Sequence, residues 1–204
     1  MPDLFTLFPT PIYKVGLSQH EEFKKIYVPK LTELFKKKPN QKADWAEYCH
    51  TWQLGLADTD TDNFVYIKND LDNAVKQYCQ FLNISPRCKM TGWFNVHDSN
   101  MYQEIHNHMP AIISGIYYIQ FDKSKDSQVL FRNPSETFYG LTSGANVPLQ
   151  NPTLAPHSGF MDDFIIEEGD LILFPGSLNH LVPKSKQPHD QLRITFSFNI
   201  FPII

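Results

Sequence analysis

Three histidines and one arginine carry the chemistry this chain offers. His106 and His108 are separated by one residue, His180 follows seventy-two residues after His108, and Arg193 lies thirteen beyond His180. Side chains alternate across an extended strand, so His106 and His108 share a face if their segment is a strand. A third imidazole from a distant strand closes a metal site on that face. Neutral imidazole suits Fe(II), and a face of three ligands leaves coordination positions open for a co-substrate and oxygen. Arg193 on a neighbouring strand then holds an anion beside the metal.

Three arrangements fit this spacing. All three histidines bind one metal; or His106 and His180 bind it while His108 supports a ligand or acts on substrate; or the three are ordinary strand residues. Two histidines in alternation, answered by His180 after a compact turn, favour the first two arrangements. A face of two histidines and one carboxylate is the common iron site, and here position 108 holds His instead of an acid. Three histidines also suit zinc.

Arg193 opens the run Arg-Ile-Thr-Phe-Ser-Phe-Asn-Ile-Phe, and the only other arginines are Arg87 and Arg132. Alternation puts Arg193, Thr195, Ser197 and Asn199 on one face and Ile194, Phe196, Phe198 and Ile200 on the other. The polar face meets either solvent, as on an edge strand, or a polar cavity. In a cavity Arg193 requires a partner, because an unpaired buried charge is very costly. A dicarboxylate is a natural one, since the guanidinium fork grips a carboxylate through two parallel bonds, and Thr195 adds a hydroxyl. Asn95 and Gln103 either line the same cavity, binding co-substrate or water, or are polar residues of a sheet face. His97 either extends the histidine cluster or is a turn residue, and His157 and His189 read as exposed loop residues.

These groups need elements to position them. Asp170-Leu171-Ile172-Leu173-Phe174 reads as a buried strand stopped by Pro175-Gly176, with His180 opening the next extended segment. Further strands are expected at Met90–His97, Tyr102–His108, Ile112–Phe121, Gln128–Arg132, Phe164–Glu167 and Leu192–Phe201. Many short strands with turn signals point to a jelly roll, two facing sheets with a pocket between them. Ahead of them, Leu4–Leu17 reads as an edge strand broken by Pro9 and Pro11. A helix follows, capped by Ser18 with Glu21 and running to about Lys38. Its apolar face is Phe23, Ile26, Tyr27, Leu31, Leu34 and Phe35, and Pro29 marks a kink or a split. A second helix spans Asn69–Leu82, after a polar, irregular Asn40–Asp62. Asn133–Asp163, rich in Pro and Gly, is either a lid over the pocket mouth or a surface insertion. The expectation is one domain, mainly β with flanking helices: a helix-containing scaffold over 1–88 and a double-stranded β-helix (jelly-roll) core over 89–204.

Composition narrows the partners. At 204 residues, 42% hydrophobic and 14% aromatic, the chain has the material for a core. Its net charge is −4, and its one short basic run, Lys36-Lys37-Lys38, argues against general affinity for nucleic acid. Cys49, Cys79 and Cys88 lack metal-like spacing and read as reduced thiols of a cytoplasmic protein. No signal peptide or membrane-length apolar run is evident. An N-terminal edge strand offers a surface for a homodimer.

Five segments together carry a resemblance: Trp93-Phe94-Asn95; His106-Asn107-His108-Met109-Pro110; Ser114-Gly115-Ile116-Tyr117-Tyr118; Phe174-Pro175 with His180; and Arg193-Ile194-Thr195 with Phe198-Asn199. From about Thr91 onward the chain resembles the Fe(II)- and 2-oxoglutarate-dependent dioxygenase superfamily, within a subgroup with a His-x-His motif. The front third is not diagnostic. The resemblance implies Fe(II) on His106, His108 and His180, and 2-oxoglutarate with its far carboxylate on Arg193 and Thr195. Tyr118 joins them as the counterpart of a tyrosine in prolyl-hydroxylase-type members. It further implies O2 as co-substrate, succinate and CO2 as products, and hydroxylation of a small molecule or protein side chain. The departure is His108, where most of the superfamily carries Asp or Glu, which alters the charge of the site. Two other functions fit the same residues: a three-histidine cupin-type dioxygenase without 2-oxoglutarate, and a non-catalytic jelly-roll binding module.

Overall fold

The computed structural model describes residues 10–37, 52–55, 65–84, 88–132, 134, 160–161 and 165–203. In chain order the elements are β1 (Tyr13–Gly16), α1 (His20–Lys37), β2 (Trp52–Gly55), α2 (Val65–Phe81), β3 (Cys88–His97), β4 (Gln103–His106), β5 (Ile113–Gln120), β6 (Leu130–Arg132), β7 (Phe160–Met161), β8 (Asp170–Pro175), β9 (His180–Val182) and β10 (Arg193–Pro202). They form a six-stranded sheet, β1-β8-β5-β10-β3-β2, and a four-stranded sheet, β4-β9-β6-β7. Every described pairing is antiparallel. Antiparallel strands pack one face on a core and leave the other for a different environment, which is what the alternating sequences prescribe.

β10 is a central strand, paired with β3 along its whole length and with β5 from Ile194 to Ile200. Its apolar face, Ile194, Phe196, Phe198 and Ile200, joins Phe94, Val96, Tyr117, Leu171 and Leu173 in the main core. The two helices cover this face through Phe23, Tyr27, Leu31, Leu71 and Tyr78, all buried. On the other face Ile116, Tyr118, Ile172 and Phe174 meet Phe131 and Val182 of the smaller sheet in a second core. The expected jelly-roll layering is thus present, with the described helices flanking one side.

Several expectations need correction. Ser18 does not cap α1; its amide and hydroxyl both donate to Asp70 of α2, and the helix opens at His20, with the Gln19 carbonyl accepting from Phe23. Pro29 is exposed and does not split the helix, which continues to Lys37. α2 begins four residues before the expected Asn69. β2 lies inside the stretch read as irregular, and residues 165–167, read as strand, are not. β4 stops at His106, two residues short of the expected His108. β1 is the expected edge strand in its C-terminal part; residues 1–9, and nearly all of the loop read as a lid, lie outside the described residues. No described helix is long and apolar enough to cross a membrane.

Candidate metal centre

His106 ends β4 and His180 opens β9, and the two face each other in register across that strand pair. His108 lies beyond β4. Its amide donates to the Gly176 carbonyl at 2.8 Å, and its own carbonyl accepts from Ala111 at 2.8 Å. These bonds fold the chain after His106 back against the β8–β9 turn. The turn is tight: a Cβ on Gly176 would sit 2.2 Å from the Ala111 carbonyl oxygen, so glycine is required there. The result is that His106, His108 and His180 each place a ring nitrogen within 4.8 Å of the others. His180 is walled by the Phe174 ring, with centroids 4.9 Å apart.

Hydrogen bonds select the ring tautomers. His106 Nδ1 lies 2.6 Å from the Glu104 carbonyl and His180 Nδ1 lies 2.8 Å from the Leu178 carbonyl. A carbonyl only accepts, so each Nδ1 carries the proton and each Nε2 keeps its lone pair. His108 Nδ1 faces Asn199 Nδ2 at 3.4 Å, and Asn199 Oδ1 accepts from Ser114 Oγ at 2.8 Å. Burial pushes all three imidazoles below their ordinary titration range, His108 to about 4, with the neighbouring His106 adding to the effect. Burial thus keeps all three imidazoles neutral; His106 and His180 keep a lone pair on Nε2, whereas donation from Asn199 Nδ2 leaves the His108 proton on Nε2.

The polar face of β10 is internal. Arg193, Thr195 and Asn199 are buried, and Arg193 is only 3% exposed. The guanidinium donates through Nη1 to the carbonyls of Ser127 (2.6 Å) and Pro183 (3.3 Å), and through Nη2 to His97 Nδ1. Three of its five N–H groups are thereby used, which leaves Nε–H and one Nη2 hydrogen, the side-on fork that fits a carboxylate. No carboxylate among the described residues lies within ion-pair distance of it. Thr195 Oγ1 accepts from Asn95 Nδ2 at 3.3 Å and keeps its own proton to donate. Tyr118 stands directly across from Thr195 in register. Its hydroxyl oxygen accepts from the Val129 amide at 3.2 Å, and burial pushes the group up to about 12, so it stays protonated and able to donate.

Asn95 is spent internally. Its amide donates to Thr195 and Ser197 and its oxygen accepts from Gln103 at 3.2 Å. It positions Thr195 rather than presenting a free group. His97 is not a turn residue: it ends β3, is 3% exposed and meets Arg193. His189 is not exposed either; its Nε2 donates to the fully buried Asp126 at 3.0 Å. His157 lies outside the described residues. Trp93 and Asn199, marked in the sequence only by the resemblance and, for Asn199, by its place on the polar face of β10, both lie beside His108.

Outside the histidines opens a cavity of about 510 Å3, lined by Trp93, Asn107, Met109, Pro110, Asn199 and Phe201 together with His106 and His108. The arrangement is a three-donor face with an anion-competent arginine deeper in the sandwich and a largely apolar chamber at its mouth.

A family model described as "Putative 2OG-Fe(II) oxygenase" matches residues 91–199, just over half of the 204-residue chain. No curated protein matches the sequence. Solved structures match throughout. A prolyl-4-hydroxylase from Pseudomonas putida is 10% identical, with 96% of this chain and 94% of that one aligned at a TM-score of 0.58. AviO1 from Streptomyces viridochromogenes is 9% identical, with 94% and 89% aligned at 0.62. HygX from Streptomyces hygroscopicus, solved with nickel and 2-oxoglutarate bound, is 11% identical, with 95% and 83% aligned at 0.56. At these identities the likeness is one of fold, the jelly roll. With the family match spanning Trp93, the His-x-His segment, His180, Arg193 and Asn199, the chain belongs to the 2OG-Fe(II) oxygenase family.

Proposed function

We propose that the protein is an Fe(II)- and 2-oxoglutarate-dependent oxygenase that hydroxylates a small molecule or a protein side chain, with O2 consumed and succinate and CO2 released. The observation that carries the reading is Arg193. No carboxylate lies within ion-pair distance of this buried guanidinium among the described residues; the buried Asp126 favours its charge from farther off, and an anion in direct contact with the free fork would complete its pairing. Arg193 shares the space between the sheets with three neutral imidazoles aimed at one point. Ser197 lines that point. From there to Arg193 is four residues of β10, about 13 Å of strand, a gap that an arginine side chain and a five-carbon dicarboxylate span together. A three-histidine oxygenase without 2-oxoglutarate would give Arg193 nothing to bind.

In this reading His106, His108 and His180 hold Fe(II). Arg193 takes the far carboxylate of 2-oxoglutarate through its free fork, and the Thr195 and Tyr118 hydroxyls donate to the same group. Asn95 fixes the Thr195 rotamer. Phe131 and Phe174 exclude water from the His180 side. When bound, the metal and co-substrate supply oxygen activation coupled to decarboxylation; the chain supplies position, neutrality and dryness. HygX, of the same fold, has been solved with iron and with nickel and 2-oxoglutarate, which supports this cofactor pair.

Anaerobic titration of the purified protein with Fe(II) and then 2-oxoglutarate tests the reading. The expected result is one equivalent of each, with the weak visible band of the chelate. His180→Ala should remove metal binding, and Arg193→Gln should remove 2-oxoglutarate binding while keeping the metal. Metal binding without any 2-oxoglutarate dependence would overturn the proposal.

A further inference from the structure

Asp126, in the connection between β5 and β6, is fully buried yet makes no ion pair with Arg193. Taking a carboxylate out of water is costly unless donors surround it. Donors from three chain positions do so: the Asp122 amide at 2.9 Å on Oδ2, and Ser185 Oγ at 3.1 Å and His189 Nε2 at 3.0 Å on Oδ1. Ser185 and His189 lie in the connection between β9 and β10, so one carboxylate ties the two connections together. An asparagine cannot replace it in kind. Its carbonyl can serve Ser185 and His189, but its amide then meets the Asp122 N–H, donor against donor.

The same two connections seat Arg193. Its Nη1 bonds go to one carbonyl from each: that of Ser127, next to Asp126 in the chain, and that of Pro183, two residues before Ser185. Uncharged ties run alongside, with the Lys186 amide donating to the Lys125 carbonyl at 2.7 Å and Ser127 Oγ to the Lys184 carbonyl at 2.6 Å. Burial disfavours the Arg193 charge, and Asp126 favours it. A carboxylate in direct contact would fill the Nε–H and Nη2 fork. Asp126, held off by its own donors, leaves that fork open.

We infer that Asp126 is a positioning residue for the co-substrate anchor. By locking Ser185 and His189 to the β5–β6 connection, it fixes the Ser127 and Pro183 carbonyls, and these hold Arg193 with its fork free for the far carboxylate of 2-oxoglutarate. This rests on the oxygenase reading above and adds to it a residue that acts only through Arg193. Charge and position pull in opposite directions here. The negative charge of Asp126 by itself repels an incoming carboxylate, whereas the ties it makes favour binding. The sign of the effect on removing it therefore decides which role it has.

The test uses the Ni(II)-loaded protein and two 2-oxo acids of equal length. 2-Oxoglutarate carries the far carboxylate; 2-oxopentanoate ends in a methyl group there and offers the metal the same 2-oxo and carboxylate groups. Calorimetry should show wild type binding 2-oxoglutarate at least about tenfold more tightly than 2-oxopentanoate. Asp126→Asn should weaken 2-oxoglutarate about tenfold while leaving 2-oxopentanoate and Ni(II) affinity unchanged. Ser185→Ala keeps the charge and cuts one tie. It should weaken 2-oxoglutarate about threefold with the same controls unchanged, and it decides alone if Asp126→Asn does not fold. Equal losses for both acids would mean general damage to the fold and would overturn the inference. Tighter 2-oxoglutarate binding by Asp126→Asn would overturn it too, since the carboxylate would then act as a repelling charge. If wild type fails to bind 2-oxoglutarate, or binds the two acids alike, the oxygenase reading falls and takes this inference with it. If wild type discriminates and both variants discriminate as well, only the role of Asp126 falls.

Discussion

His108 stands where a carboxylate would place a negative charge on the metal, so on the proposed reading the iron would have three neutral protein ligands. For Nε2 of His108 to coordinate, its Nδ1 must carry the proton and needs an acceptor. Asn199 supplies one if its amide turns over, presenting Oδ1 to His108 and Nδ2 to Ser114 Oγ, because a hydroxyl accepts as readily as it donates. Asn199→Leu should therefore lower Fe(II) affinity by about 10–100-fold, measured by anaerobic metal titration, and Ser114→Ala should lower it less. The imidazoles also set a pH dependence. An imidazole in the unfolded chain titrates near about 6.5, while burial holds His108 down to about 4 and His106 and His180 below their ordinary values. Above pH 6.5 neither state takes up a proton and these groups leave stability flat. As pH falls below it, the unfolded chain binds protons that the folded one refuses, and stability drops by up to about 1.4 kcal/mol per pH unit for each imidazole. For His108 this continues down to about pH 4. Urea unfolding of metal-free protein between pH 7.5 and 4.5 should show a shallower slope in His108→Leu than in wild type; identical slopes would refute the assignment.

Elements differ in how plainly the sequence announced them. β10 was legible because both of its faces are spoken for, one by aromatic and branched residues in the main core and the other by polar groups in the chamber. β2 was not, since four residues of Trp-Gln-Leu-Gly owe their strand form to the edge of β3 and not to their own period. Ser18 carried a capping signal, but the helix opens two residues later at His20, and the Ser18 amide and hydroxyl both donate to Asp70. The His-x-His pair gave the right cluster by a partly different route. Strand alternation places His106, but β4 ends there, and His108 returns to the cluster through its bond to Gly176. That route makes Gly176 a testable hinge between the two motifs. Alanine there meets backbone at 2.2 Å, with no flexible side chain to yield. Gly176→Ala should cost about 1–3 kcal/mol in urea unfolding and weaken metal binding as well. A stability loss with unchanged metal affinity would mean that the turn does not position His108.

At the scale of the molecule, the proposed ligands would join the two sheets. His106 and His180 belong to the four-stranded sheet, whereas Arg193, Thr195 and Tyr118 belong to the six-stranded one. The smaller sheet is thinly held, with strands of two to four residues, and its packing on the larger sheet rests on a compact second core around Phe131 and Phe174. A metal on the histidines whose co-substrate reaches Arg193 adds a bridge across that interface. Binding to the folded state alone stabilises it by mass action, about 2.7 kcal/mol when a ligand is present at 100 times its Kd. For a chain of this size, each kcal/mol raises the melting temperature by roughly 2–4 °C. Ni(II) with saturating 2-oxoglutarate should thus raise the melting temperature of wild type by roughly 5–10 °C beyond Ni(II) alone. Arg193→Gln should show the Ni(II) increment and little of the second. Hydrogen exchange locates the effect: 2-oxoglutarate should slow exchange in β4, β6 and β9 in wild type and leave them unchanged in the variant. If 2-oxoglutarate protected only residues touching it and the smaller sheet exchanged as before, the co-substrate would be bound without bridging the sheets, and Arg193 would be an anchor only.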